Sequence, residues 1–406
     1  MTQTSPRSLR SLVLVTVSGK DTPGITSELT GVLAESQVSI LDIGQAVIHG
    51  MLSLSILFEL EGDTHHAPLK DLLFKAAELG MKLEFQLLDG AQLSTGHLAP
   101  KAYRYALTLI SERITAQALH QVTRVLAKYR VNIDVIERLS EGEFSCVEML
   151  VSSAEALDRR ALKTELLNIA RQLGVDIALQ AEGLYRRSKR LVVFDMDSTL
   201  IQNEVIDEFA RERGVFDQVS AITHEAMKGQ LPFDESLKRR VAMLKGLTHD
   251  EIERVFARIE VTPGASDLIA VLKKLGYKVA LISGGFSCIA DRLKSRLGID
   301  YAYANTLEMD HGVATGHVLP PIVNAQRKAD LLDVIAQQEH IHLDQVIAIG
   351  DGANDLLMLE KAGLGIAFNA KPMVNERADL ALNQKSLRSI LYLLGISGRD
   401  LAEVID

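Results

Sequence analysis

The chain has no tryptophan, and its aromatic residues make up only 5% of 406 positions. Its formal charge is 44 − 53 = −9. A chain this acidic and this poor in rings lacks the basic, ring-bearing surface that nucleic-acid binding uses, so no nucleic-acid partner is expected. Two cysteines, Cys146 and Cys288, are too few for a disulfide framework or a metal–thiolate set, and both are expected as small buried hydrophobes. No apolar run approaches the ~20 residues needed to cross a bilayer, and no signal-peptide core follows Met1. A cytoplasmic protein without a membrane partner is the resulting expectation. The one basic run, Arg186, Arg187, Lys189 and Arg190, reads as a solvated linker.

What is present is ample apolar content, 47%, over a length that favours two or three domains. Starting at Leu12, LVLVTV reads as a strand, SGKDTPG as a turn and ITSELTGVLAES as a helix. Two β-rich segments follow, turning at His49 and Gly50, then a helix and a last strand, giving the order βαββαβ. The same order begins again at Tyr103, with a hairpin turn around Glu141 and Gly142. A period of about ninety residues marks a domain duplication, because solenoid repeats run at about 20 to 50. Each copy is expected to fold as a ferredoxin-like unit of two helices on a four-stranded antiparallel sheet. The boundaries are placed at 1–90 and 100–181, with Gly90 to Pro100 as a linker.

The segment VTVSGKDTPGITSELTGVLAE with VSILDIGQAVI resembles an ACT domain, a small ligand-binding module associated with amino-acid metabolism. Gly19, Asp21, Pro23 and Gly24 carry the match, in a loop whose backbone amides at a helix start could hold a carboxylate. The second copy has Ser111 near the place of Gly19 and lacks the Pro-Gly pair, which leaves its ligand site in doubt. An assembly module that binds nothing is the alternative for either copy.

From Arg190 onward, long helical patterns alternate with short apolar runs, the mark of a parallel α/β sheet. Three runs end in polar residues: LVVF at Asp195, KVALI at Ser283, and VIAI at Gly350 and Asp351. If the three strands are parallel neighbours, their carboxyl ends share one crevice. Asp195 and Asp197, two residues apart in extended chain, face one volume. A carboxylate can attack phosphorus, and Mg²⁺ with hard oxygen ligands would offset the repulsion among the acids. Taken singly, each feature also fits a turn, an N-cap or a solvated surface lysine.

DMDST at 195–199, ISGG at 282–285, Lys328 and GDGAND at 350–355 resemble, together and in this order, the motif set of the haloacid-dehalogenase superfamily. That resemblance implies a Rossmann-like α/β domain at 190–406. It implies Asp195 as nucleophile and Asp197 as general acid and base. Asp195, the main-chain carbonyl of Asp197, and Asp351 become the Mg²⁺ ligands, with Asp355 orienting the metal's water. Ser283, Gly284 and Lys328 are then the phosphate-binding groups. The helical insertion at about 204–261 implies a cap that admits small substrates. Within it, NEVIDEFA and ITHEAMKGQLPFDESLKRRV look like the phosphoserine phosphatase family. By that likeness Glu204 meets the substrate ammonium, Arg240 the carboxylate, Met227 and Phe233 the apolar side, and Asn354 helps seat the substrate. The implied reaction is hydrolysis of O-phospho-L-serine through an aspartyl phosphate, closing serine biosynthesis, in a homodimer whose first ACT copy takes an amino-acid effector such as serine. A catalytically silent amino-acid sensor and a phosphatase for other phospho-amino acids or phosphoproteins are the alternatives. No function is assigned to His224, His311 or His317.

Overall fold

The computed structural model describes residues 10–61, 66–88, 103–140, 144–227, 230–398 and 400–401. The Gly90–Pro100 linker and the turn at Glu141 and Gly142 lie outside the described residues. The chain forms two compact units, residues 1–101 and 102–406.

The first unit contains β1 (Arg10–Lys20), α1 (Ile25–Glu35), β2 (Ser39–Ile48), β3 (Met51–Glu61), α2 (His66–Glu78) and β4 (Lys82–Leu88). The sheet is antiparallel in the order β2-β3-β1-β4. Alternation along β1 and β3 sends Val13, Val15, Val17, Leu54, Ile56 and Phe58 into one core with Leu29 and Leu33 of α1 and Leu72 of α2. The β2–β3 hairpin turns on His49 and Gly50, both at positive φ. Strand β1 runs further than its apolar pattern: Ser18, Gly19 and Lys20 stay paired with Ser53, Leu52 and Met51 of β3, so the turn begins only at Asp21. Gly24 then starts α1 at φ 102°, a conformation that disfavours residues with a Cβ.

The second unit opens with β5 (Tyr103–Ser111), α3 (Ala116–Lys128), β6 (Asn132–Arg138), β7 (Ser145–Ser153), α4 (Arg159–Leu173) and β8 (Asp176–Ala181). This sheet, β6-β7-β5-β8, is also antiparallel. Thr115 caps α3 by accepting from the Ala118 N–H, and Asp158 caps α4 through Ala161. There follow β9 (Leu191–Phe194) and four helices, α5 (Val205–Glu212), α6 (Phe216–Met227), α7 (Phe233–Met243) and α8 (His249–Arg258). After these come α9 (Ala265–Lys274), β10 (Lys278–Phe286), α10 (Ser287–Leu297), β11 (Tyr301–Asp310), β12 (Val313–Leu319), α11 (Ala325–Gln338), β13 (Val346–Gly350), β14 (Leu364–Phe368) and β15 (Leu380–Leu382). Their seven-stranded sheet has the order β12-β11-β10-β9-β13-β14-β15 and is parallel except for the β11–β12 hairpin.

The run LVVF is apolar throughout because β9 is covered on both faces: Val192 and Phe194 pack with Leu281 and Ile347, while Leu191 and Val193 pack with Leu332 and Ile335. Its neighbours β10 and β13 are both parallel to it, in the arrangement the three strand endings require.

In the small sheet of the second unit, β5, β7 and β8 are buried on two faces, while the edge strand β6 stays largely exposed. One side holds Val122, Leu126, Leu162 and Leu166 of its own helices; on the other, Ile110, Cys146 and Ala178 join a core with Leu391, Leu393 and Leu401. Asp176 crosses this junction, accepting bonds from the Asn383 N–H and side-chain amide and from Gln384. Lys163 bonds the Ala378 carbonyl across the same junction. The basic run at 186–190 is therefore no solvated linker. Arg186 is buried and bonded to Glu148 and Glu182, and Lys189 is buried with its ammonium 2.6 Å from the Asp344 carbonyl. Only Arg187 and Arg190 stay in water. A charge run shows no periodicity from which such pairing can be read.

Candidate active site

At the end of β9 the chain makes a wide turn, in which the Leu200 N–H reaches the Asp195 carbonyl and the Ile201 N–H reaches that of Met196. Ser198 takes φ 56° and donates its hydroxyl to Glu204 at 2.8 Å. The turn, rather than extended i, i+2 alternation, brings Asp195 and Asp197 to one cavity at the carboxyl edge of the sheet. The Asp197 carboxylate accepts the Val205 N–H at the start of α5 (2.8 Å) and the Ser283 hydroxyl (3.3 Å). Asp195 accepts Lys328 Nζ at 2.6 Å, and the same ammonium bonds Asp355 at 2.6 Å.

Asp195, Asp351 and Asp355 each offer an oxygen within 4.8 Å of the others. Their engagement differs. Both oxygens of Asp355 are taken, one by Lys328 and one by the Gly352 N–H, whereas Asp351 accepts only the Thr199 hydroxyl at 3.1 Å among the described residues. The hard oxygen donors and the excess of negative charge fit a divalent cation such as Mg²⁺. Six carboxyl groups, those of Asp195, Asp197, Glu204, Asp207, Asp351 and Asp355, are set against three cations, Lys328, Arg240 and Lys371.

That imbalance governs the acid–base properties. Burial, with Asp355 and opposed by Lys328, raises Asp195 well above the usual carboxylate range. Burial and then Glu204 push Asp197 up to about 7, and burial and then Asp355 push Asp351 up to about 6. Burial alone would lower Lys328, but Asp195 and Asp355 more than reverse it and hold the ammonium charged.

Above these groups lies a cavity of about 600 Å³. Its floor is Asp195, Asp197, Gly284, Asp351 and Asn354, and its cap side is Glu204, Phe233 and Arg240. Burial draws Arg240 below the ordinary guanidinium range, against the pull of Glu204 and Asp207. Burial likewise raises Glu204, partly offset by the Ser198 hydroxyl. Asn324 caps α11 and also donates to Asp234 of α7 at 3.2 Å, joining the helix of Lys328 to the helix of Arg240. At Gly285 a Cβ would lie 2.5 Å from Asp197 Oδ2 and would displace that carboxylate.

Most of the expected residues converge on this cavity. Ser283 and Lys328 do not line it; both are wholly buried behind its wall, Ser283 accepting the Gly285 N–H at 2.8 Å while donating to Asp197. The Met227 side chain lies outside the described residues. Asp207, Thr223 and Lys371 also line the cavity and were not foreseen. Asp207 sits three residues after Glu204, so helical spacing could have flagged it. Thr223 and Lys371 carry no comparable signal.

The chain matches the haloacid dehalogenase-like hydrolase family over residues 192–360 and ACT-domain families over 11–86 and 105–180. It is 44% identical to the phosphoserine phosphatase of Streptomyces coelicolor over 97% of this chain and 94% of that protein. It is 40% identical to that of Mycobacterium tuberculosis over 95% and 93%. A HAD-family hydrolase from Salmonella enterica serovar Typhi superposes with a TM-score of 0.64 at 33% identity, covering 72% of this chain and 98% of that one. The unliganded probable phosphoserine phosphatase of Vibrio cholerae gives 0.58, also at 33% identity, over 73% and 88%. With the acids, the buried lysine and the capped cavity in one place, and with likeness running nearly end to end in the first two relatives, the chain belongs to the phosphoserine phosphatase family, with a haloacid dehalogenase-like catalytic domain behind two ACT domains.

Proposed function

We propose that the chain hydrolyses O-phospho-L-serine to L-serine and inorganic phosphate with Mg²⁺, through an aspartyl phosphate on Asp195. The observation that carries this is a single cavity whose lining joins Arg240 and Glu204 with Asp195 and Asp197. A guanidinium and a carboxylate there match the carboxylate and ammonium of an amino acid, and the acids match its phosphate ester.

Lys328 holds Asp195 Oδ1, and Oδ2 has no hydrogen-bond donor among the described residues. A carboxylate oxygen of Asp195 attacks phosphorus as the bond to the serine oxygen breaks, and Asp197 gives its proton to the departing alkoxide. A carboxyl pushed up to about 7 is suited to that donation near neutrality. Asp197 then takes a proton from water, whose oxygen attacks phosphorus; the bond to Asp195 breaks and phosphate leaves. Gly284, on the cavity wall, meets the phosphate oxygens; Lys328, buried behind that wall, acts on them through its charge, Ser283 joins them when its hydroxyl turns from Asp197, and Asn354 helps seat the substrate. Asp195, Asp351 and the Asp197 carbonyl would hold Mg²⁺, with Asp355, both of whose oxygens are engaged, orienting its water. The ion supplies charge neutralisation at the phosphoryl group.

The domains are taken as 1–90, 100–181 and 190–406, with the cap at about 204–261, in a cytoplasmic homodimer that light scattering would test. The first ACT copy is the candidate effector site for an amino acid such as serine. The start of α1 has no side-chain cap, whereas Thr115 occupies the same place on α3. Calorimetry of the full chain with serine tests it, and no heat would leave an assembly role. For the reaction, the test is phosphate release from phosphoserine with and without Mg²⁺, using D195N as control. Activity that survives EDTA, or that survives in D195N, would overturn the assignment.

A further inference from the structure

The phosphate-facing loop 283–285 is a break in a sheet. Strand β10 pairs with β11 up to Ile282 opposite Tyr303 and resumes only at Phe286 opposite Asn305, so the backbone between them leaves the ladder. Buried backbone groups released in this way need other partners. The Asn305 side chain, wholly buried on β11, supplies one: its amide N–H donates to the Gly284 carbonyl at 2.8 Å. Its oxygen accepts the Val323 N–H, also at 2.8 Å, at the entry to α11, the helix of Lys328. Only one orientation of the amide satisfies both partners, a donor towards the carbonyl and an acceptor towards the N–H.

The consequence reaches the site through one peptide. The 284–285 peptide has its carbonyl on Asn305 and its N–H on Ser283 Oγ. With a lone pair of Ser283 committed to that N–H, its hydroxyl proton is directed outwards, and it donates to Asp197. We infer that Asn305 is a positioning residue for the phosphate cradle: one buried amide sets the 284–285 peptide, and through it the Ser283 hydroxyl, against the helix that carries Lys328. Asn305 touches no substrate. The inference rests on the phosphatase reading and names what holds its phosphate-binding groups in register.

N305D keeps the shape of the side chain but places an oxygen against the Gly284 carbonyl; N305S is smaller, can satisfy only one of the two partners, and serves if N305D does not fold. In the full chain with Mg²⁺, the Ki for inorganic phosphate is expected to rise about tenfold. The kcat/KM values for phosphoserine and for p-nitrophenyl phosphate should fall by the same factor, because the defect lies at the group they share. A variant that is merely partly unfolded loses kcat but keeps its Ki. A Ki within twofold of wild type in a soluble variant, or a loss confined to phosphoserine, would overturn the inference. Wild-type enzyme inactive on phosphoserine would instead remove the functional reading, and phosphate binding with p-nitrophenyl phosphate turnover would still decide the role of Asn305.

Discussion

Replacing Asp197 by Asn separates the chemistry of this residue from its structural contacts. The carboxylate accepts from the Val205 N–H and from the Ser283 hydroxyl. An Asn side chain can keep the first bond with its oxygen. Towards Ser283 it presents an N–H₂ group, and Ser283 Oγ, which already accepts the Gly285 N–H, has a second lone pair to receive it. Both contacts survive, and the neutral amide removes a carboxylate that burial and Glu204 disfavour in its ionised form, so D197N should be no less stable than wild type near neutral pH. What is lost is the proton. General acid and base catalysis is worth roughly 10²- to 10⁴-fold, or about 3 to 5 kcal/mol of barrier. The loss should depend on the leaving group. Serine leaves as an alkoxide that needs protonation, whereas p-nitrophenolate departs unaided. Rapid-mixing kinetics on D197N with p-nitrophenyl phosphate should therefore show a burst of about one nitrophenol per site, followed by slow turnover as the aspartyl phosphate waits for a base. With phosphoserine the first step itself should be slow and no burst of serine should appear. A D197N enzyme with kcat for phosphoserine within threefold of wild type, or one that bursts equally with both substrates, would refute the role.

Two further outcomes follow from other contacts. D234A removes the bond from Asn324 that ties α7 to α11, a partly buried contact worth about 1 kcal/mol, so KM for phosphoserine should rise roughly fivefold while p-nitrophenyl phosphate, which makes no use of Arg240, is unaffected; equal effects on both substrates would count against a cap-aligning role. Burial lowers Lys189 to about 8 from 10.5, with Asp344 and Asp379 opposing, so the folded state releases this proton before the unfolded chain does. Between pH 8 and 10.5 the unfolded chain binds more protons, and this group's contribution to stability rises with pH. Denaturant melts of wild type and K189M should diverge in slope across that window, and parallel slopes would show that Lys189 is not the source.

The acids of the candidate catalytic centre were legible because their signals are local. An apolar run that stops at a polar residue marks a strand covered on both faces whose carboxyl end opens on a ligand site, and Asp195, Ser283 and Asp351 each stand at such an end. Asp197 lines the same cavity as Asp195, but by way of the turn after β9 and not by extended spacing. The duplicated βαββαβ order was equally visible, since strand and helix periodicities are properties of neighbouring residues. Which polar groups are buried, and with what, was decided only by tertiary structure. Lys328 looks like any lysine at a helix start until Asp195, 133 residues away, and Asp355 close around it. Arg186 and Lys189 looked like solvent-facing charges until Glu148 and the Asp344 carbonyl met them. Asn305 carried no sequence signal, because its partners Gly284 and Val323 contribute only backbone atoms, which every residue type but proline supplies alike. By itself the sequence determined the elements, the order of the strand endings and the acids they carry. The fold decided which charges pair, which face of the second ACT sheet meets the catalytic domain, and that Asn305 bonds the Gly284 carbonyl and the Val323 N–H, since each depends on contacts between residues far apart in the chain.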